Sequence, residues 1–356
     1  MKAPLSPKRA GIIGAFVGLA AAGIAAGVAT ERYLVRRSRQ VDDPYADETF
    51  GELPFSSQRA VTGADGVELH VEMLNTEDGE DAESELTLVF VHGFCLDMGT
   101  FHFQRKALAG EYRMVLYDQP GHGRSGRLTR GEYTLESLGV ALRAVIDECA
   151  PDDPLVLIGH SMGGMTIMAL AEQEPELFAA RVAGVVLIST SAGKLDEVNF
   201  GLPDVVARFR RPLLPLIRTA VPLTAAVVDR ARRASTDLAW LLTRRYGFGS
   251  AAPSPSLVSY VERMNSGTST DVIARYLRTL STHSRLLVLG PLRAVPVLII
   301  VGDADLLTPV AHSREIASVR PDAEVVEVED GGHVALLEHP EVVNEAIGRF
   351  LRKVTP

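Results

Sequence analysis

The feature that most restricts how this chain can fold is a series of short, unbroken apolar runs at 86–92, 114–117, 155–159, 182–188 and 297–301. Each has strand length, and none alternates apolar with polar residues. A strand with one wet face must alternate, so these runs predict strands covered on both faces, as in a parallel sheet under helices. Helical stripes lie between them. Leu135, Leu138, Leu142, Val145 and Ile146 recur at helical spacing, and Met165, Met168, Ala169 and Leu170 precede Pro175. Strands alternating with helices imply right-handed crossovers and an α/β fold with a mostly parallel, doubly wound sheet. Runs at 59–62 and 67–74 flank Gly63-Ala64-Asp65-Gly66 and read as a hairpin. The alternation stops over 193–290, where helical patterns continue without a buried strand. That segment is expected to be an inserted helical cap.

The expected layout is an N-terminal segment at 1–40, an acidic linker at 41–55, a core formed by 56–192 and 291–356, and the cap at 193–290. Residues 10–30 hold no charged side chain, over about the 20 residues that a membrane-spanning helix requires. This predicts a membrane-anchored protein with one N-terminal span. Lys2, Lys8 and Arg9 precede the run, and Arg32, Arg36, Arg37 and Arg39 follow it, a near balance that leaves the side of the membrane open. A cleaved signal peptide and a secreted product form the alternative. The net charge of −9 argues against a nucleic-acid partner, since a phosphate surface calls for a basic footprint. The cap carries fourteen basic and seven acidic residues, which suits either an anionic lipid or substrate surface or an ordinary solvated helix face. Its apolar residues, including Trp240, Leu241 and Leu242, fit an acyl pocket or the cap's own core. Cys95 and Cys149 lack the spacing of a zinc or redox site. No cofactor or metal is expected.

Gly159-His160-Ser161-Met162-Gly163 follows one buried run and opens a helical pattern, the setting in which G-x-S-x-G acts as a sharp turn that presents a serine hydroxyl. A serine hydroxyl needs a base to take its proton. His333, in Gly331-Gly332-His333, lies between a strand-like stretch at 324–328 and a helical stretch at 340–351, so a loop can deliver it to the sheet edge. His160 and His122 read as loop or packing residues. An acid must orient the imidazole, and both Asp303 and Asp305 follow the run at 297–301.

These motifs, in this order, resemble the α/β-hydrolase superfamily, serine hydrolases of esterase or lipase type, over about 55–192 and 291–356. Gly302-Asp303-Ala304-Asp305-Leu306-Leu307-Thr308-Pro309 is similar to that family's acid loop, which favours Asp305 with Asp303 as runner-up. His92-Gly93-Phe94 resembles its oxyanion loop, implying that the backbone N–H groups of Phe94 and Met162 hold an oxyanion while His92, Gly93, Gly159 and Gly163 support the turn. Asp118-Gln119-Pro120-Gly121-His122-Gly123-Arg124-Ser125-Gly126 also resembles a loop of the superfamily, one that shapes the site. The resemblance implies a catalytic set of Ser161, His333 and Asp305 that cleaves a carboxylic ester, with a small-molecule or lipid-derived substrate. Serine at 161, where related dehalogenases and epoxide hydrolases have aspartate, argues against those activities. The same set could act on a thioester, an amide or a carbon–carbon bond, or as a cofactor-free haloperoxidase. A membrane-anchored protein that keeps the fold without turnover is the reading from a different class.

Overall fold

The structure is a computed structural model that describes residues 35–37, 39–63, 66–76, 86–128, 132–198, 236–286, 289–290, 292 and 295–355. The apolar run at 10–30, the acidic stretch at 77–85 and the arginines and leucines of 199–235 lie outside the described residues.

Among the described residues, β1 (Ser57–Thr62), β2 (Glu68–Leu74), β3 (Thr87–Val91), β4 (Arg113–Tyr117), β5 (Leu155–His160), β6 (Val182–Ile188), β7 (Val297–Gly302) and β8 (Glu324–Val328) form one sheet, ordered β1-β2-β4-β3-β5-β6-β7-β8. The β1–β2 hairpin is antiparallel and joins β4 antiparallel, while the pairs from β4 to β8 are all parallel. The unbroken apolar runs now have their reason. Along β5, Leu155 and Leu157 enter one hydrophobic cluster while Val156 and Ile158 enter another across the sheet. Each such buried aliphatic side chain contributes about 1.5–3 kcal/mol relative to exposure. β8 is an outer strand, and there alternation returns: Val325 is 39% exposed and Val328 buried.

The helices are α1 (His102–Leu108), α2 (Leu135–Cys149), α3 (Met162–Gln173), α4 (Pro175–Arg181), α5 (Thr236–Gly247), α6 (Pro255–Gly267), α7 (Thr270–Leu280), α8 (Val310–Val319), α9 (Ala335–Glu338) and α10 (Pro340–Val354). The side chain of Thr134 caps α2 by accepting from the Ser137 N–H, and the predicted stripe from Leu135 to Ile146 is its buried face. Within 193–290, the described helices are α5, α6 and α7. Helix α7 buries Val272, Tyr276 and Leu280 at four-residue spacing and leaves Leu277 in solvent. Trp240 is buried in a core cluster, whereas Leu242 is exposed, so these two neighbours do not share an environment.

The stretch 41–55, read from its acidity as a solvated linker, is instead a strap. Asp43 accepts from Ser254 and Ser256 at the start of α6, Glu48 pairs with His102 and Lys106, and Arg105 donates to the carbonyls of Leu53 and Pro54. Phe50 stacks on Tyr260, with ring centroids 4.7 Å apart. Two of its five carboxylates, Asp43 and Glu48, are among its fastenings.

Candidate active site

Ser161 stands between β5 and α3 with φ 52° and ψ −117°, a conformation that costs a non-glycine residue on the order of 1–3 kcal/mol. Its neighbours hold it there. The Ser161 N–H donates to the Ile188 carbonyl (2.9 Å), and the hydroxyl of Thr190 donates to the Ser161 carbonyl (2.6 Å). Gly163 is required by close approach: a β-carbon there would overlap the Val91 carbonyl oxygen at the end of β3. Gly163→Ala is therefore expected to lower stability by about 3 kcal/mol, through a clash with backbone that cannot yield. A thermal melt within a degree or two of the parent would contradict it.

The loops after β7 and β8 are tied together, because the Asp303 N–H donates to the Val328 carbonyl and the Ala304 N–H to the Gly331 carbonyl, each at 3.0 Å. That pairing brings Asp305 to His333. Nε2 of His333 lies 2.9 Å from the Ser161 hydroxyl oxygen, and Nδ1 lies 2.9 Å from Asp305 Oδ2. Asp305 also accepts from the N–H groups of Leu307 (2.8 Å) and Thr308 (3.0 Å) and from the Thr308 hydroxyl (2.8 Å). Burial works to raise the Asp305 carboxyl, but the facing His333 and the hydrogen bonds from His333 and Thr308 outweigh it, holding its pKa below the usual value. Asp303, the runner-up, is exposed and leaves only its backbone in this arrangement.

Phe94 and Met162 directly follow the carboxyl ends of neighbouring strands β3 and β5, Phe94 after His92-Gly93 and Met162 after Ser161. Met162 is the first residue of α3, so its N–H has no acceptor within the helix. Gly93 lets the chain pass His160, whose Nδ1 a β-carbon at 93 would meet at 2.7 Å. His92 is fully buried and structural: Nδ1–H donates to the Gly93 carbonyl and Nε2 accepts the Gln119 N–H, both at 2.8 Å. Burial lowers its pKa to about 4. Gly159 packs on the backbone of Gly163 and Gly164. Ser161, His333 and Asp305 thus meet directly, while His92, Gly93, Gly159 and Gly163 surround them. Among the described residues, no three His, Cys, Asp or Glu side chains gather as a metal-binding group.

Glu338 and Thr308 carry supporting roles that the sequence does not announce, and His160, expected as a loop or packing residue, makes a specific bond. His160 is fully buried, and its Nε2–H donates to the His333 carbonyl at 2.9 Å; burial and the nearby His333 lower its pKa to about 3, so it stays neutral. Glu338 accepts from the N–H groups of Gly249, Ser250 and Gly332, pinning the His333 loop to the segment between α5 and α6. Thr308 carried the one legible signal, a hydroxyl three residues after the acid and just before Pro309.

An imidazole bonded at one nitrogen to a carboxylate and at the other to a hydroxyl can accept the hydroxyl proton and be stabilised as it charges. Known proteins are similar. A curated relative from Pseudomonas putida, the dihydrolipoyllysine-residue acetyltransferase component of an acetoin cleaving system, is 31% identical over 274 residues. The match takes in 76% of this chain, which spans 65% of that relative's length. A pimeloyl-[acyl-carrier protein] methyl ester esterase from Nitrosospira multiformis is 29% identical over 301 residues, 80% of this chain and 99% of the relative. The solved structure of a thermophilic esterase from Thermogutta terrifontis superposes with a TM-score of 0.61 at 24% identity, covering 85% of this chain and 100% of that one, a likeness of fold. The family description "alpha/beta hydrolase fold" matches residues 87–340. With that match spanning β3 to β8 and all three residues of the array, the chain belongs to the α/β-hydrolase fold family.

Proposed function

We propose that this protein is a serine hydrolase of carboxylic esters that works through an acyl-enzyme on Ser161. The observation that carries the reading is the continuous chain of hydrogen bonds from the Ser161 hydroxyl through His333 to Asp305, each link 2.9 Å long. The Ser161 oxygen attacks the ester carbonyl as its proton passes to Nε2 of His333, and Asp305 holds the imidazolium. The N–H groups of Phe94 and Met162 receive the oxyanion, each such donor being worth about 3–4 kcal/mol. Collapse returns the proton to the leaving alcohol. Water, deprotonated by His333, then releases the acid and restores the serine. The esterase named among the relatives supports an ester.

The test is hydrolysis of a p-nitrophenyl ester series of increasing acyl length by the full-length chain, with fluorophosphonate labelling in parallel. Turnover with label on Ser161 supports the reading, and the optimum length sizes the pocket. Folded protein that neither turns over nor labels points to a non-catalytic protein. A thioester is the second reading, favoured by the relative named as an acetyltransferase component, and an acyl-thiol substrate beside the matched ester separates the two. We further propose that residues 10–30 tether the enzyme to a membrane, on the strength of their charge-free length. Among the described residues, no helix is long and apolar enough to cross one. The protein is expected to resist carbonate extraction from membranes. Recovery in the soluble fraction, or a mature N-terminus beyond residue 30, would refute the tether.

A further inference from the structure

The loop after β4 returns two tight-turn glycines, Gly121 (φ 81°) and Gly123 (φ 48°), with His122 between them. His122 is buried, and its two ring nitrogens are both used. Nδ1–H donates to the Pro120 carbonyl (3.1 Å), which leaves Nε2 to accept the Cys95 N–H (3.2 Å). Cys95 holds a left-handed φ of 60° directly after Phe94, so this bond fixes the segment whose Phe94 N–H is proposed above as an oxyanion donor. The ring also lies edge-on to Phe94 (6.2 Å) and to His92 (5.3 Å). From the other side it meets the cap. The Tyr276 ring of α7 sits 5.4 Å from it, the Tyr276 hydroxyl donates to the same Pro120 carbonyl (3.0 Å), and a β-carbon at Gly121 would press on Val272. Burial lowers the His122 pKa to about 3, so its acceptor nitrogen is not lost to protonation near neutral pH.

We infer that His122 is a positioning residue for ester hydrolysis, the clamp through which cap helix α7 and the 118–126 loop hold the Phe94–Cys95 segment in its oxyanion-binding conformation. The inference rests on the proposed serine-hydrolase reading. It acts through the oxyanion loop and touches no reacting atom. A displacement of about 1 Å in such a donor costs up to about 100-fold in rate, while substrate binding away from the carbonyl is untouched.

The experiment compares the full-length parent with His122→Leu and His122→Gln. Leucine keeps the volume and removes both bonds; glutamine can donate to the Pro120 carbonyl and accept from Cys95. His122→Leu is expected to lower kcat about 10- to 100-fold with KM within about 3-fold, and His122→Gln to recover most of the loss. The second readout needs no turnover: alkylation of the partly exposed Cys95, with buried Cys149 as the internal control. Release of the loop should speed Cys95 alkylation several-fold in His122→Leu and not in His122→Gln. An unchanged kcat in folded His122→Leu, a glutamine variant no better than leucine, or equal alkylation rates would overturn the clamp. A parent that cleaves no ester would instead overturn the hydrolase reading, and the alkylation comparison would still decide the clamp.

Discussion

Replacing Ser161 by alanine is expected to lower kcat for ester hydrolysis by about 10⁶-fold, with KM little changed. Without the hydroxyl there is no acyl-enzyme and no proton for His333 to take. What survives is the oxyanion site and the binding of substrate, worth about 10³–10⁴ over water. The fold should tolerate the change, because alanine bears the same backbone strain at φ 52° and the bonds from Ser161 N–H and to its carbonyl do not use the side chain. Fluorophosphonate labelling should vanish while the thermal midpoint stays close to the parent. A variant that retains even a tenth of the parental rate would show that Ser161 is not the nucleophile.

Asp305→Asn is the more discriminating change, since it keeps the shape while replacing one acceptor oxygen by an NH₂ donor and removing the charge. The carboxylate accepts Nδ1–H of His333 at Oδ2. An amide that presents NH₂ there makes Nδ1 the acceptor, moves the ring proton to Nε2 and turns a donor toward Ser161, so the base is lost. About 10⁴-fold in kcat is expected to go with it. The pH dependence of stability has a definite sign. The folded pKa of Asp305 lies below its ordinary 3.8, chiefly because His333 and the hydrogen bonds from His333 and Thr308 outweigh burial. Its stabilising contribution is therefore complete above pH 3.8 and disappears as the pH falls through the lower folded value. Acid melts of the parent should carry this component and those of Asp305→Asn should lack it. Equal acid sensitivity in the two proteins would count against the lowered Asp305 pKa.

The sequence was legible where burial on both faces left a continuous apolar signature, as in β3, β5 and β7. Ser161 was legible because a strand, a glycine-flanked serine and a helix are all local. Asp305 was a harder choice. Asp303 and Asp305 occupy one short loop, and only the cross-loop bonds after β7 and β8 decide which carboxylate turns inward. His160 and Glu338 were illegible for another reason. Their partners are backbone groups, which any residue supplies, and the His333 carbonyl lies 173 positions from His160. The strap at 41–55 is hidden by its acidity, because only two apolar anchors, Tyr45 and Phe50, tie it to the core.

The distance along the chain between the meeting groups has a consequence for when activity can first arise. Ser161 and His333 are 172 residues apart, and the histidine follows an outer strand of the sheet, near the end of the chain. A ribosome completes the serine turn long before it reaches His333, the residue proposed above as the base. A chain that ends before His333, or an intermediate with β8 unseated, lacks the imidazole proposed to take the Ser161 proton. Closure of so long a loop is slow, so the onset of turnover during refolding is expected to coincide with the last step of assembly.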